Sequence, residues 1–284
     1  MLRLIGKLMH FIATLLLLAL FAGVALFVYA RFVEPRLLVT TQVPISSARV
    51  SDTADGLKIV QFSDIHICDD DDPDKLARLV KTINAQSPDL VVFTGDLFDN
   101  FPAWEGSPAT ITEAFSQIKA RHGKFAVLGN HDYEVTALPV VRQIWADSGF
   151  TLLQDDEINF PELGLTVVGL DDWIFGSCET TTLDQANAEG FTLLLCHEPD
   201  IADRLNTEKF DLMLSGHTHG GQIQLPLLGI VYTPPLGRVY EEGQYALGGS
   251  RDTVLYVNRG TGQSLLPLRF MAVPEITVVT LKSQ

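Results

Sequence analysis

The hydrophobic pattern of the chain changes twice, and each part predicts a different kind of structure. Residues 11–30 form one apolar stretch without a charged side chain. From residue 57 to residue 220, short apolar runs alternate with segments whose apolar residues recur at helical spacing. Beyond Gly220, short apolar runs are separated by many Gly and Pro residues, which is typical of β-structure. The pattern therefore predicts a hydrophobic N-terminal segment, a β-α-β region and a mostly β final third.

In the alternating region, residues 74–85 place Leu76, Leu79 and Ile83 on one face, which predicts an amphipathic helix. Residues 90–94 are a short apolar run that predicts a buried strand. The same reasoning predicts further strands at 57–62, 125–128, 166–170, 192–196, 212–214, 254–258 and 276–281. It predicts further helices at 111–120, 138–146 and 200–205. The alternation indicates an α/β fold with helices packed on both sides of a sheet or of a two-sheet sandwich.

Two stretches stand outside this alternation. Residues 31–56 are predicted to be a connector followed by an edge strand, because they end at the turn signal Asp55-Gly56. The acidic run at 69–72 is predicted to be a solvated loop.

The apolar stretch at residues 11–30 is long enough to cross a bilayer as a helix that rises about 1.5 Å per residue. We predict an uncleaved single-pass anchor, with residues 1–36 as anchor and connector and residues 37–284 as one folded domain. The alternative is a signal peptide cleaved after Ala30, but such peptides have an apolar core of only about 7–15 residues. Basic residues on both sides of the stretch leave the orientation open, with a slight preference for an inside N-terminus.

The charge of the chain excludes one broad class of function. The net charge is −15, and the region after residue 36 carries −18, because residues 1–36 hold four basic residues against Glu34. General nucleic-acid binding needs basic surface to neutralise phosphates, so no nucleic-acid partner is expected. A phosphate substrate remains compatible, since bound divalent cations reverse the local sign of the charge. The three cysteines form no CxxC pair and imply no disulfide framework.

Five polar segments, each following a predicted strand, carry the candidate chemistry. They are SDIH at 63–66, TGDLFD at 94–99, LGNHD at 128–132, LCHE at 195–198 and SGHTH at 215–219. In open α/β sheets, ligands collect outside the carboxyl ends of the strands. Histidine, aspartate and asparagine side chains suit Mn, Fe or Zn. The candidate metal ligands are Asp64, His66, Asp96, Asn130, His197, His217 and His219.

The spacing within the segments favours shared ions. Asp64 and His66 are two residues apart, so both side chains can point the same way from an extended backbone. Two ions that share Asp96 each receive four protein ligands, which leaves positions open for substrate. Two metals about 3.5–4 Å apart form a clamp for displacement at phosphorus. Taken singly, Asp64 reads equally well as a turn or helix-cap residue and Asn130 as a turn residue, but five such segments in order favour a metal site.

This set of motifs resembles the calcineurin-like metallophosphoesterases, whose pattern is D-x-H, G-D-x-x-D, G-N-H-[DE], H and G-H-x-H. The match covers residues 57–220 and every motif position is present. The resemblance implies a four-layered α/β/β/α sandwich of two mixed sheets.

The resemblance also implies roles for the site residues. It assigns one metal to Asp64, His66 and His219, and the other to Asn130, His197 and His217, with Asp96 bridging both. It implies that His131 stabilises the transition state or protonates the leaving oxygen and that it pairs with Asp99. A water bridging the two metals is then the nucleophile.

A closer resemblance links the chain to the membrane-anchored bacterial YkuE-like phosphodiesterases. It rests on LSGHTHGGQIQLP at 214–226, VLGNHDYE at 127–134 and PEITVVTL at 274–281. That subgroup includes a UDP-2,3-diacylglucosamine pyrophosphatase of lipid A synthesis. The resemblance implies hydrolysis of a phosphodiester or pyrophosphate, on a small phosphorylated or lipid-linked substrate, at the bacterial inner membrane. Alternatives are a phosphodiesterase or phosphomonoesterase of broad specificity, a non-catalytic scaffold and, against the charge, a nuclease.

The substrate side of the site stays open at the level of sequence. The Gln222 amide follows the last motif, and Arg259 and Arg269 lie in the Gly- and Pro-rich tail, where a cation suits a phosphate. The alternative is that these are ordinary turn and surface residues.

Overall fold

The structure is a computed structural model that describes residues 2–68, 74–134, 136–186 and 189–284. The acidic run predicted to be a solvated loop lies outside the described residues. The rest of the predicted alternation can be compared with the fold.

The first sheet is mixed and contains six strands. They are β1 (Val39–Ser47), β2 (Lys58–Phe62), β3 (Leu90–Thr94), β4 (Gly123–Val127), β5 (Thr151–Leu152) and β14 (Glu275–Ser283). The strand order is β1-β14-β2-β3-β4-β5. Strands β2 to β5 are parallel, whereas β14 runs antiparallel to β2 and parallel to β1. The last strand of the chain therefore lies inside the sheet, and β1 forms the predicted edge.

The second sheet is also mixed and six-stranded. Its strands are β6 (Asp156–Phe160), β7 (Leu165–Gly169), β8 (Phe191–Leu195), β9 (Leu212–Ser215), β12 (Gly243–Gly248) and β13 (Thr253–Val257). The order is β12-β13-β9-β8-β7-β6, with β7, β8, β9 and β13 parallel and the two edge strands antiparallel to their neighbours. A separate small hairpin joins β10 (Gln224–Leu225) to β11 (Gly229–Ile230).

Three apolar layers hold the sheets and helices together. The outer face of the first sheet packs against α2 (Lys75–Ala85), α3 (Pro108–Ser116) and α4 (Ala137–Asp147). The two sheets pack face to face through a second cluster of buried aliphatic side chains. The outer face of the second sheet is covered by α5 (Thr181–Gln185) and the 3-10 helix Pro199–Arg204. This arrangement confirms the four-layered α/β/β/α sandwich.

The N-terminal helix stands apart from these layers. Helix α1 spans Leu2–Val28, and its described side chains are exposed. At about 1.5 Å per residue it is about 40 Å long, which exceeds the hydrocarbon thickness of a bilayer. Among the described residues it is the one helix that is long and apolar enough to cross a membrane. It continues through a π-helical turn, Tyr29–Val33, and a 3-10 turn, Glu34–Arg36, to the start of the folded domain.

Some predicted boundaries differ from the structure for identifiable reasons. Helix α3 begins at Pro108 and ends at Ser116, ahead of the predicted 111–120, because proline favours the first turn of a helix. The predicted helix at 200–205 is a 3-10 helix that begins at Pro199. The edge strands β6 and β12 were not predicted, since one face of each is solvated and neither forms an apolar run.

Candidate metal centre

The predicted ligands lie in loops that follow the carboxyl ends of five strands in the two sheets. Asp64 and His66 follow β2, and Asp96 follows β3. The others follow the remaining strands in order: Asn130 after β4, His197 after β8, and His217 and His219 after β9. Parallel strands share one carboxyl edge, and face-to-face packing brings the edges of both sheets together.

Five of these side chains sit on left-handed backbone, which residues other than glycine rarely adopt. The φ angles are 48° at Asp64, 45° at His66, 64° at Asp96, 71° at His217 and 55° at His219. Each such residue costs of order 1–3 kcal/mol, and residues of this kind concentrate at functional sites. The turns at the strand ends are therefore held in place by their surroundings rather than by local preference.

One cluster joins Asp64, His66 and His219. All three are buried, and their ligand atoms lie within 4.8 Å of one another. His66 Nε2 is 3.0 Å from His219 Nε2, and Asp64 Oδ1 is 3.6 Å from His219 Nε2. The same carboxylate oxygen accepts a 2.9 Å hydrogen bond from the backbone amide of His217. This bond ties the end of β2 in one sheet to the end of β9 in the other.

A second cluster joins Asp96, His197 and His217, which are also buried within 4.8 Å of one another. His197 Nε2 lies 3.2 Å from Asp96 Oδ2 and 3.1 Å from His217 Nδ1. Asp96 Oδ2 is also 3.4 Å from His66 Nε2, so this carboxylate touches both clusters. A cavity opens beside the two clusters, and Asn130 lines it together with His66, Asp96 and His217. The buried Oδ1 of Asn130 has no hydrogen-bond partner among the described residues. An orphaned amide oxygen at this position suits a cation ligand.

The hydrogen bonds of two histidines fix which ring nitrogens face the cluster. His197 Nδ1 donates to the carbonyl of Thr94 at 2.6 Å, and His217 Nε2 donates to the carbonyl of Pro235 at 2.8 Å. In neutral rings, the two nitrogens that face each other are then both acceptors, and they repel unless a proton or a cation lies between them. Nitrogen ligands about 2.0–2.1 Å from one ion lie about 3 Å apart. The donor set therefore fits a divalent cation.

Without a bound cation, protons must balance the buried carboxylates. Burial opposes ionisation of Asp96, but the neighbouring His197 outweighs it and holds the pKa of Asp96 well below its usual value. Burial would lower the pKa of His66, but hydrogen bonding to Asp96 and Asp99 outweighs this and raises the pKa to about 9. Against the same effect of burial, Asp96 raises the pKa of His197 well above its usual value. The His66 ring thus carries a second proton at neutral pH, and a metal has to displace it; the raised pKa of His197 acts in the same direction.

The predicted pairing of His131 with Asp99 occurs through the backbone. His131 Nδ1 donates to the Asp99 carbonyl oxygen at 2.8 Å, which leaves Nε2 as the ring nitrogen available to the cavity that His131 lines. The Asp99 carboxylate lies instead 3.3 Å from His66 Nδ1. A carboxylate beside the second nitrogen of a metal-binding histidine fixes the ring and its tautomer. The Asp99 carboxylate therefore orients the His66 ring, and the Asp99 carbonyl orients the His131 ring.

Comparison with known proteins agrees with this geometry. The family model described as calcineurin-like phosphoesterase matches residues 57–221, more than half of the chain. The chain belongs to this family. It is 42% identical over 262 residues to the uncharacterized metallophosphoesterase YkuE of Bacillus subtilis (strain 168), covering 90% of this chain and 89% of that protein.

Two further relatives are named for an activity or a location. Phosphodiesterase YaeI of Escherichia coli (strain K12) is 32% identical over 239 residues, covering 81% of this chain and 84% of YaeI. A Danio rerio protein named transmembrane protein with metallophosphoesterase domain is 29% identical over 285 residues, covering 95% of this chain and 62% of that protein. The chain is thus a metal-dependent phosphoric ester hydrolase whose clustered histidines and aspartates can bind metal ions.

Within this calcineurin-like site, Asp132 positions two ligand loops and was not singled out as a site residue. It is buried and accepts hydrogen bonds from the backbone amides of Asp96 at 3.0 Å, Leu97 at 2.9 Å and Gly129 at 2.9 Å. Burial raises the pKa of Asp132 to about 6. The sequence did contain a signal for Asp132, because the last position of the G-N-H-[DE] motif is always a carboxylate residue.

Arg269 lies beneath the centre rather than at the surface. It is fully buried, and its guanidinium donates to the carbonyl oxygens of Gly262, Ala272 and Arg259 at 2.6–2.8 Å. Its Nη2 is also 3.2 Å from His219 Nδ1. Burial lowers the pKa of Arg269 to about 10, so it remains charged at neutral pH. No sequence signal distinguishes this arginine from an exposed one.

The other two candidates for substrate binding are engaged elsewhere. Arg259 donates to the Glu275 carboxylate at 2.7 Å. The Gln222 side chain bonds to the backbone of Ser264 and Leu266 and holds their loop beside the cavity. Gln222 therefore shapes a wall of the cavity, whereas the Arg259 side chain is held by Glu275.

We expect a methyl group at position 129 to disrupt the centre. A Cβ there would lie 2.3 Å from Asp96 Oδ1, although the backbone φ of −112° itself accepts alanine. Gly129→Ala should lower Mn²⁺ affinity by about 10–100-fold, as loss of ligand positioning does in other metal sites. Isothermal titration calorimetry measures this change.

Gly56→Ala is the control. The φ of 83° at Gly56 makes alanine strained there, while the space around the position is open. This variant should lose stability and keep its affinity for Mn²⁺. Equal Mn²⁺ affinities in the parent and Gly129→Ala would contradict the contact with Asp96.

We also expect metal binding to tighten as pH rises. The pKa of His66 is raised to about 9, so its ring is protonated through the neutral range, and the Asp96 carboxylate raises the pKa of His197 as well. Each proton that Mn²⁺ displaces should raise the affinity about tenfold per pH unit between pH 6 and pH 8. Calorimetry in buffers of different ionisation enthalpy counts the released protons. An affinity independent of pH, with no proton release, would contradict this charge state.

Proposed function

We propose that the chain is a membrane-anchored phosphodiesterase or pyrophosphatase that uses two divalent metal ions. The observation that carries this proposal is the pair of buried ligand clusters that meet at Asp96 beside His131. The relative YaeI is named a phosphodiesterase, and helix α1 is apolar enough to span a membrane. We infer a lipid-linked or cell-envelope substrate, of which UDP-2,3-diacylglucosamine is one candidate.

In this proposal, Asp64, His66 and His219 hold one ion. Asn130, His197 and His217 hold the other, and Asp96 serves both. The contact of Asp96 with both clusters and the unpartnered Asn130 oxygen support this division. Imidazole and carboxylate donors suit Mn, Fe or Zn. Bound at this position, such ions neutralise phosphoryl oxygens and make water a stronger nucleophile.

His131 then acts on the reacting phosphate. Its backbone amide donates to Asp96 Oδ1 at 2.8 Å, which holds the backbone of His131. Its Nδ1 donates to the Asp99 carbonyl, which orients the ring. The remaining nitrogen, Nε2, is the group that donates to a phosphoryl oxygen or protonates the leaving oxygen. Asp99 is the residue that positions it, while its own carboxylate orients His66.

We assign residues 1–36 to an anchor and connector and residues 37–284 to the calcineurin-like domain. Strand β1 begins at Val39 and pairs along its length with β14, the last strand of the chain. We infer a single pass through a membrane, which a relative named as a transmembrane protein supports. That this membrane is the inner membrane of a bacterium is part of the proposal.

We expect the full chain in detergent to hydrolyse bis-p-nitrophenyl phosphate only with Mn²⁺ or a similar ion. His131→Ala should lower kcat by about 10²–10⁴-fold, the usual contribution of a positioned acid or base. It should leave Mn²⁺ affinity nearly unchanged, because the proposed ligands stay in place. Asp96→Asn, which removes the shared charge, should lose metal affinity together with turnover.

His122→Ala is the matched control, because His122 is half-buried beside Phe160 and is not among the motif residues; it should keep full activity. Turnover that survives His131→Ala, or that persists after chelation of all metal, would contradict the proposed mechanism. Comparing p-nitrophenyl phosphate, the diester and UDP-2,3-diacylglucosamine then separates a broad-specificity esterase from a lipid-linked pyrophosphatase. Tight metal binding with no turnover of any of the three would favour the scaffold alternative.

A further inference from the structure

Two segments without exposed charge border the mouth of the cavity. Residues 222–237 contain no charged side chain, and residues 260–274 contain only Arg269, which is fully buried. We call these two segments the apolar rim. We propose that the apolar rim inserts into the surface of the bilayer that holds α1, so that the cavity receives phosphate esters of membrane lipids. The substrate part of this inference rests on the proposed function; the membrane contact does not.

The apolar rim exposes large side chains where a soluble surface would carry polar ones. Leu228 and Leu265 are each 79% exposed. Further exposed members are Leu225, Leu227, Val231, Tyr232, Leu266 and Met271. Single exposed apolar residues are ordinary, but a contiguous group of this size marks a contact surface.

The rim is also the wall of the cavity. The cavity measures about 440 Å³. Its lining includes candidate ligand residues such as His66, Asp96 and His219. It also includes the apolar rim residues Ile223, Val231, Tyr232, Leu265 and Leu266. A molecule that carries both a phosphate and an acyl chain matches both kinds of lining.

Hydrogen bonds join the two segments of the rim into one unit. Phe270 pairs with the strand at Ile223: the Gln224 amide donates to the Phe270 carbonyl at 2.8 Å, and the Phe270 amide donates to the Gln222 carbonyl at 3.0 Å. The Gln222 side chain donates to the carbonyl oxygens of Ser264 and Leu266. The exposed leucines are therefore held on a fixed frame.

The end of the membrane helix is attached to this same frame. The Arg269 amide donates to the Ala30 carbonyl at 2.9 Å, and the Ala272 amide donates to Glu34 Oε1 at 2.7 Å. The rings of Tyr29 and Phe270 meet edge to face with centroids 6.4 Å apart. The residues at which α1 leaves the bilayer thus contact the rim directly. This continuity selects the bilayer as the occupant of the rim over a second copy of the chain or a soluble partner.

A test of the membrane contact needs no activity. Leu227→Trp in the full chain is reconstituted into phosphatidylcholine vesicles whose acyl chains carry bromine near the headgroup. The three native tryptophans lie outside the rim, and the parent chain measures their contribution. We expect bromine to quench the added fluorescence about twofold or more, as for side chains at the acyl boundary.

Phe175→Trp is the matched control, because Phe175 is 66% exposed and outside the rim; its added fluorescence should stay unquenched. Equal quenching of the two variants overturns the proposal. Fluorescence of Leu227→Trp that bromine does not quench also overturns the proposal. Cross-linking then shows whether a second copy of the chain covers the rim instead.

A second test compares two esters with the same leaving group. Bis-p-nitrophenyl phosphate is soluble, and phosphatidyl-p-nitrophenol in vesicles is its lipid counterpart. The double variant Leu227→Asp/Leu228→Asp, at two exposed rim residues outside the cavity lining, should lose about tenfold or more in kcat/KM on the lipid ester, since each inserted leucine contributes at least about that factor to partitioning. It should keep its rate on the soluble ester, which also shows that it is folded.

The control variant Phe175→Asp should keep both rates. Equal losses on both esters, or no loss on the lipid ester, overturn the rim as the lipid entrance. If the parent chain cleaves neither ester and does not cleave UDP-2,3-diacylglucosamine, the proposed function fails, and the quenching measurement still decides the membrane contact. If the parent cleaves the soluble ester and Leu227→Trp is not quenched, the proposed function stands and the membrane contact falls.

Discussion

The structure depends on balancing buried negative charge at the junction of its two sheets. Asp64, Asp96 and Asp132 are all fully or almost fully buried within one network. A buried carboxylate without a partner is strongly destabilising. Backbone amides neutralise part of the charge of Asp132 and Asp64. Asp96 accepts one backbone amide at Oδ1, and its Oδ2 faces the imidazoles of His66 and His197. Protons on His66 and His197, or cations in their place, are therefore needed for the sheets to meet as they do.

That constraint explains why the centre is built on unfavourable backbone. Left-handed turns at the strand ends bring side chains of both sheets within hydrogen-bonding distance, which straight strands would not do. The space beneath them is tight: a Cβ on Gly216 would lie 2.2 Å from Asp64 Oδ2, and one on Gly129 would lie 2.3 Å from Asp96 Oδ1. The glycines of the motifs are thus required by contact with the ligand carboxylates, and the sheets, turns and ligands stabilise one another.

The apolar pattern was sufficient to predict an α/β fold and the gathering of the motif residues, because buried parallel strands have continuous apolar runs and their ends share an edge. The four layers were implied by the resemblance to the calcineurin-like family. The sequence could not show that His131 bonds to the backbone carbonyl of Asp99 while the Asp99 carboxylate faces His66. Both groups belong to one residue, so the motif looks the same whichever group is used. The sequence also could not show that Arg269 is buried. Its guanidinium is stabilised by backbone carbonyl oxygens of three different residues, and backbone groups leave no pattern in the sequence. The edge strands β6 and β12 were missed because their residues are half solvated and their pairing is tertiary.

The contact between the anchor and the domain shows where a boundary drawn from hydrophobicity differs from one drawn from packing. From the sequence, residues 1–36 are grouped together as anchor and connector, apart from the folded domain. By contact, Glu34 is buried and accepts the amide of Ala272, while Ala30 accepts the amide of Arg269. Arg269 in turn reaches His219, so one buried side chain connects the end of helix α1 to a histidine of the candidate centre. The helix end is thus part of the framework of the centre as well as its tether.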